Sequence, residues 1–336
     1  MIGLDIGSKT IKIVELDKIR NTFKLKASGI IGYKSTTPEH LADDKEAAVL
    51  SDVIRKLHKE AKIVGREAVV SIPETQVYTR LIHFPMLTDS EIASAVKWEA
   101  EQYIPFPIEE AVIDYQIIDK KENTSPPQVL VLLIAAPKLL VNRYVKLLDM
   151  CKLELVAIET ELMAIARSTC PVDQTVMVAD FGARSTNIAI VKNSNLMMSR
   201  SIPTAGNALT RAVAQGLGIE VQQAEEYKKT YGLSSANLNG KIKSVLAPVL
   251  RMVADEIKKA IHYYQSESDS EPPKSIILTG GTAGMPEVAS LMTELLGIEV
   301  SIGNPFAKIQ IDKDAANMLL GYSPFYAISV GLAMRE

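Results

Sequence analysis

The chain has little cysteine. Cys151 and Cys170 are the two in 336 residues, and neither sits in a metal or redox spacing, which argues against a disulfide framework and fits a reducing compartment. It has no long apolar run. The longest, VLVLLIAAP from Val129, stops at Pro137; it is far short of the ~20 residues of a membrane-spanning helix and reads as a buried strand. Positive charge is not in excess either, and the net charge of −3 gives no electrostatic case for nucleic acid. The opening MIGLDIG is strand-like at once, which leaves no room for a signal peptide and carries no lipidation signal. The last helix runs to Glu336, and no terminal amphipathic anchor is expected. What is present, 47% hydrophobic and 23% charged residues, is ordinary for a globular protein, and the length calls for two or more domains.

The stretch GLDIGSKTIKIVEL, residues 3–16, contains GSKT, like the end of a P-loop. The spacing is wrong for one. A P-loop places four residues before its Gly-Lys pair, and its Lys-Ser/Thr opens a helix. Here three residues separate Gly3 from Gly7, Ser8 precedes Lys9, and TIKIVEL alternates like a strand. The spacing predicts a strand over 2–6, a tight turn over 7–9 and a strand over 10–16. Such a turn can cradle phosphate, because Gly7 lets the backbone approach, turn N–H groups point at the anion and Lys9 adds charge. Asp5, at the strand end, can hold Mg2+ through water. An ordinary hairpin with a solvated Asp is the alternative.

The opening is repeated. From Val176 the chain reads VMVADFGARSTNIAIVKNSNLMMSRSI, again strand, Asp, Gly, basic turn, strand. Asp180 matches Asp5, Gly182 matches Gly7, Arg184 matches Lys9, and Thr186 matches Thr10 with one extra residue in the second turn. Two such hairpins point to a duplicated domain with facing phosphate clamps. A third element, SIILTGGTAGMPEV from Ser275, reads as a buried strand, then Gly280, Gly281 and Gly284, then a helix starting near Met285 with Pro286 in its first turn. The paired glycines either admit a base and ribose to the backbone or simply turn a strand into a helix. A fourth, TAGNALTRAVAQGLGIEVQQAEEYKKTYG from Thr204, predicts two helices broken at Gly216–Gly218. In the second, Glu225 and Lys228 lie one turn apart, as a surface ion pair or as a clamp on hydroxyls and adenine.

Between the repeats lies a compact α/β unit. Thr88 and Glu91 form a capping box opening a helix to about Tyr103. A strand over 112–118, a polar turn DKKENTSPP, a strand over 129–135 and a helix from Pro137 to about Cys151 follow. Ile92, Ala95, Val96 and Tyr103 form the stripe expected to face the unit's own core. Trp98, the lone Trp, projects off that stripe, toward a neighbouring subdomain or a partner.

Taken together, these elements resemble the actin-like ATPase superfamily, which includes actin, sugar kinases, MreB and FtsA. LDIGSKT resembles its first phosphate loop, ADFGARST the second, ILTGGTAGMPEV the adenosine motif, AEEYKKTYG the ribose and base segment, and VAIETELMAIARS the first connecting helix. FPMLTDSEIASAVKWEAEQYIPFPIEEAVIDYQII resembles, more narrowly, the PilM family of type IV pilus assembly proteins, which is FtsA-like. The resemblance covers essentially the whole chain.

It implies an α/β architecture: a duplicated ribonuclease H-like (actin-like ATPase) fold with an inserted FtsA-type 1C subdomain. The implied subdomains are 1A at 1–78, 156–172 and 322–336, 1C at 79–155, 2A at 173–204 and 274–321, and 2B at 205–273. The implied cofactors are ATP and Mg2+. The nucleotide set is Asp5, Gly7, Ser8, Lys9, Thr10, Asp180, Gly182, Ala183, Arg184, Ser185, Gly206, Glu225, Lys228, Gly280, Gly281, Thr282 and Gly284. Asp5 and Asp180 hold Mg2+ through water. Glu159 falls where the superfamily keeps its water-orienting residue, with a solvated helix-start acid as the alternative and Glu161 close by. The second hairpin departs from the Gly-rich pattern: Ala183, Arg184 and Ser185 narrow backbone approach to a γ-phosphate, although Arg184 can pair with it. ATP binding is therefore expected, with slow or absent hydrolysis. The implied partner is the cytoplasmic N-terminal tail of PilN, in a groove between 1A and 1C, along with other pilus platform proteins and self-association. The segment VYTRLIHFP is a further docking candidate by strand addition. A place in the cytoplasm, at the inner membrane only through that partner, follows. An FtsA-like division protein and a small-molecule kinase are the competing readings.

Overall fold

The computed structural model describes residues 1–122, 125–268 and 271–335. The middle of the polar turn DKKENTSPP and Glu336, the expected end of the last helix, lie outside the described residues.

The first lobe opens with strands β1 (Ile2–Ile6), β2 (Thr10–Ile19) and β3 (Thr22–Gly32), helix α1 (Asp44–Glu60) and strand β4 (Glu67–Ile72). An insert follows, built from β5 (Tyr78–Pro85), α2 (Asp89–Tyr103), β6 (Ala111–Lys121) and β7 (Gln128–Pro137). Then come α3 (Lys138–Met150), β8 (Glu154–Thr160) and the connecting helix α4 (Glu161–Thr169). The second lobe repeats the plan with β9 (Val176–Phe181), β10 (Thr186–Lys192), β11 (Asn195–Ile202), α5 (Gly206–Leu217), α6 (Val221–Tyr231) and α7 (Lys241–Ser268). It continues through β12 (Ile276–Thr279), α8 (Val288–Leu296), β13 (Val300–Ile302) and α9 (Lys313–Leu319), and the chain returns as α10 (Ala327–Ala333).

The duplication is explicit in the sheets. One has the order β3-β2-β1-β4-β8 and the other β11-β10-β9-β12-β13. In each, the first three strands form antiparallel hairpins and the last two add in parallel. β1 and β9 are central and buried along their whole length, as strands covered on both faces must be. This is the duplicated α/β fold of the actin-like ATPases.

Two glycines set how closely α10 packs. A Cβ on Gly331 of α10 would fall 1.8 Å from the carbonyl oxygen of Ala164 in α4, and one on Gly3 would fall 1.9 Å from that of Ser329. α10 therefore lies backbone to backbone against both the connecting helix and β1.

The insert has its own core, where Ile92, Val96 and Ala100 of α2 meet Val129, Val131 and Leu133 of β7. The capping box forms as expected, with Thr88 and Glu91 exchanging hydrogen bonds. Tyr103, expected on the buried stripe, lies outside it, with the Arg80 guanidinium 3.7 Å from its ring centroid; Ala100 takes its place because the helical repeat brings it onto the face of Val96. The other face of the insert's sheet contributes Leu132 to a core shared with α4, β9, β10 and α10.

Three expectations need correction. α3 does not belong to the insert. Leu140, Tyr144, Leu147 and Leu148 pack into the first lobe's core with α1 and β1, so the insert ends at Pro137 and not at 155. The connecting helix begins at Glu161, leaving Glu159 on β8. The helix after the paired glycines begins at Val288, and Met285 and Pro286 lie in the turn before it.

Candidate functional site

Both hairpin turns close with the same bond. The N–H of Gly7 donates to the carbonyl of Thr10, and the N–H of Gly182 to the carbonyl of Ser185, each at 3.1 Å. The strand registers agree too, since Ile6 pairs with Ile11 as Phe181 pairs with Thr186. The second turn therefore contains no extra residue. Thr10 is equivalent to Ser185, not to Thr186, and the sequence match slipped because two hydroxyl residues stand side by side at 185 and 186. By the same register Lys12 faces Asp5 as Asn187 faces Asp180.

Asp5 and Asp180 end β1 and β9 and are both buried. The Lys12 ammonium donates to Asp5 at 2.9 Å. Asp180 accepts from the Thr279 hydroxyl at 3.1 Å. Burial, and then the neighbouring Asp5 charge, push the Asp180 carboxyl up to about 6. Two further acids line the same cleft. Glu161, the first residue of α4, accepts from the backbone N–H of Glu74 at 3.2 Å and from Asn187 at 3.1 Å. Burial, Asp180 and Asp5 raise it well above the usual range. Glu74 is pushed up to about 7, by burial first. Lys12, Asn187, Thr279, Glu74 and Glu161 were not legible as a set. Glu161 stood out only as a neighbour of Glu159, and Lys12 left a signal as a lysine in a strand with apolar neighbours.

The glycine-rich turn borders this cleft. Gly280 has φ +80°, and a Cβ there would fall 2.6 Å from an Asp180 carboxylate oxygen. Its N–H donates to Pro324 O. Gly281 faces Phe325, whose ring would lie 3.1 Å from a Cβ; that side of the residue is occupied by protein. Thr282 donates its N–H to Phe181 O, and Gly284 lies at the turn's exposed end. Gly206 starts α5 with its N–H on Gly182 O, and Asn207 follows on Ala183 O. A Cβ on Gly206 would fall 2.9 Å from the Thr282 hydroxyl, so this glycine locks helix, hairpin and turn together.

Glu225 and Lys228 are one network on α6. Lys228 is buried, and its three donors go to Gly206 O at 3.1 Å, Thr210 Oγ1 at 2.9 Å and Glu225 Oε2 at 2.7 Å. A lysine has three donors, so Lys228 has none left for a base. Glu225 accepts from Lys228 and Thr210, which outweigh the effect of burial and hold its carboxyl at about 2. Beside it, a cavity of about 730 Å³ lined by Lys9, Thr210, Arg211, Gln222 and Glu225 opens between the lobes.

Glu159 lies elsewhere. It is buried on β8, where Arg167 grips both carboxylate oxygens at 3.0 Å and Arg335 joins from the chain end. It is neither solvated nor at a helix start, and its partners come from α4 and from the segment after α10. Ser8, Lys9 and Ala183 to Ser185 occupy the two hairpin tips. Among the described residues no cluster of three or more His, Cys, Asp or Glu is arranged to ligate a metal directly, and no helix is long and apolar enough to cross a membrane.

The family described as Type IV pilus assembly protein PilM matches residues 3–336. The chain belongs to that family. Its fold superposes with a TM-score of 0.86 on a solved PilM-PilN type IV pilus biogenesis complex, 28% identical, covering 99% of this chain and 97% of that one. Cell division protein FtsA of Pseudomonas aeruginosa is 26% identical over 377 residues, 99% of this chain and 88% of that protein. MreB 5 of Spiroplasma citri, solved bound to AMPPNP, shares the fold at a TM-score of 0.53 and 13% identity, over 98% and 93% of the two chains. The family's type IV pilus assembly role and the actin-like fold thus agree.

Proposed function

We propose that this chain is an ATP-binding component of the type IV pilus assembly platform, with Mg·ATP held between the lobes and the cytoplasmic tail of PilN held by the insert and first lobe. The observation that carries the nucleotide reading is that two equivalent hairpins, closed by the same Gly N–H bond in the same register, each place a buried aspartate at the end of a central strand; the Asp5 charge also helps raise the Asp180 carboxyl to about 6. Two acids that disfavour each other's charge suit a hydrated divalent cation, which needs no direct protein cage.

The residues fit that group. Asp5 and Asp180 would hold the metal's waters, and Lys9, Arg184 and the turn N–H groups would meet the phosphates. Gly280, Gly281 and Gly284 would border the adenosine, and Glu225 Oε1, which among the described residues otherwise meets only the exposed Lys229, would take a ribose hydroxyl. Lys228 would act behind it, positioning Glu225 and α5. A bound Mg2+ would supply neutralisation of phosphate charge. Hydrolysis would be slow, since side chains at 183–185 crowd the second tip. The water-orienting part falls to Glu161, held between Glu74 N–H and Asn187, rather than to Glu159.

Support for the partner comes from the likeness to the solved PilM-PilN complex. Exposed Leu139 on α3 (65%) and Val112 on adjacent β6 (41%) offer apolar walls at the junction of first lobe and insert. Attachment to the inner membrane from the cytoplasm would then run through that tail. The test is the melting temperature with and without Mg·ATP, since a ligand at 100 times its Kd stabilises by about 2.7 kcal/mol. No shift at millimolar Mg·ATP, with a normal two-state melt, would sink the nucleotide reading.

A further inference from the structure

Two ion pairs cross the cleft, and the internal repeat relates them. Lys9, at the first hairpin tip, lies 3.9 Å from Glu225 of the second lobe. Arg184, its equivalent at the second tip, lies 3.4 Å from Glu39 of the first lobe. Each cation placed to grip a phosphate thus faces a carboxylate from the opposite half.

The two acids differ in what else they hold. Glu225 has Lys228, Lys229 and Thr210 as further partners. Glu39 does not share that wealth. Its side chain is about 10% exposed, Oε1 faces Arg184, and Oε2 is buried with no hydrogen-bond partner. Its loop is tethered, because Arg143 donates to the Glu39 carbonyl at 2.7 Å. The same loop buries the Ser35 and Thr37 hydroxyls without partners. A tethered, buried carboxylate that loses its cation cannot recover water freely, and the loss is costly. Arg184 itself is 53% exposed and free to turn elsewhere.

We propose that Glu39 is a specificity-determining residue that sets how strongly this cleft prefers a nucleoside triphosphate to a diphosphate, by competing with the γ-phosphate for Arg184. The inference rests on the ATP-site reading above. A diphosphate engages the first tip and leaves the Arg184–Glu39 pair intact. A triphosphate reaches the second tip and draws Arg184 away, so part of its gain is offset by the carboxylate left behind. The pair also ties the two lobes together, so only the triphosphate releases it.

The experiment is calorimetric titration of the full-length protein with Mg·ADP and Mg·AMPPNP. In Glu39→Gln, AMPPNP binding is expected to tighten about fivefold, or about 1 kcal/mol at 1.4 kcal/mol per decade, while ADP binding stays unchanged. Arg184→Gln should lose the triphosphate preference, and adding Glu39→Gln to it should restore nothing, because the two act as one pair. If Glu39→Gln fails to fold, Glu39→Asp, which shortens the reach, is expected to shift the ratio in the same direction. An unchanged ratio in these variants, equal tightening of both nucleotides, or a gain that survives without Arg184 overturns the latch alone. Wild-type protein that binds neither nucleotide overturns the site reading and the latch with it.

Discussion

Glu161 of the connecting helix accepts a hydrogen bond from Asn187 of the second lobe at 3.1 Å. That bond joins the segment linking the halves to the strand that carries the second hairpin, and it fixes a carboxylate near enough to Asp180 and Asp5 for both charges to act on it. Glu159, two residues earlier, is still on β8; the chain turns from β8 into α4 at Glu161, so strand alternation does not carry across to Glu161, and Glu159 meets Arg167 and Arg335 instead.

The two acids should therefore fail differently. Glu161→Ala is expected to abolish whatever steady-state phosphate release the protein shows, with Mg·ATP affinity kept within about threefold. Glu159→Ala strands two arginines and should lower stability by about 2–3 kcal/mol in denaturant melts, below the range for wholly buried pairs because Arg167 and Arg335 reach water. Loss of turnover in Glu159→Ala at full stability would return the role to that residue.

Nucleotide binding should depend on pH through Asp180. Burial and then Asp5 lift its carboxyl from 3.8 to about 6. The native state thus keeps a proton that the unfolded chain releases, so without Mg2+ this group makes stability fall as pH rises through that window. Mg·ATP needs the ionised form, so affinity should rise from pH 5 to 7. Asp180→Asn should bind Mg·ATP weakly and flatten the difference; a wild-type affinity flat over that range would contradict the metal assignment.

The paired glycines should not be equivalent. Gly280→Ala puts a Cβ 2.6 Å from the Asp180 carboxylate at φ +80°, so it should cost about 1–3 kcal/mol of stability and most Mg·ATP binding. Gly281→Ala meets only the edge of the Phe325 ring at 3.1 Å and should cost less than about 1 kcal/mol, with nucleotide affinity changed little. Thermal melts and titrations on both variants check the order.

Gly331→Val should be the most damaging small change. Its Cβ would overlap the Ala164 carbonyl at 1.8 Å, forcing α10 off α4. A cost above about 3 kcal/mol, seen as failure to express folded protein, is expected. Wild-type melting would mean the helices can separate at little cost.

Tail binding should depend on the junction of insert and first lobe. Leu139→Glu and Val112→Glu should each weaken a PilN tail peptide about tenfold without changing the melt, since both side chains are exposed. Trp98 is 61% exposed, and Trp98→Ala serves as the control for a site on the outer face of α2. Fluorescence titration separates the two surfaces.

Much of the fold was written locally. The hairpins at Asp5 and Asp180, the capping box at Thr88 and the break at Gly218 (φ +65°) are set by residues within a few positions of each other. Short-range chemistry fixes such turns and caps, so a sequence displays them. The limits of α3 were less legible, because its apolar face fits either core; only packing against α1 assigned it to the first lobe.

The sequence by itself determined the duplication, the two aspartates, the glycine-rich turn and the inserted unit, since each is a contiguous pattern of turn residues and apolar alternation. The tertiary structure decided which carboxylates share the cleft. Glu159 and Glu161 look interchangeable along the chain, yet one is closed by Arg167 and Arg335 while the other meets Asn187 and Glu74. Lys228 looked like a ligand and proved fully committed to Gly206, Thr210 and Glu225. Glu39 was invisible until folding set it against Arg184, 145 positions away. Burial, charge pairing and donor commitment are properties of neighbours in space, and long-range packing alone supplies those neighbours.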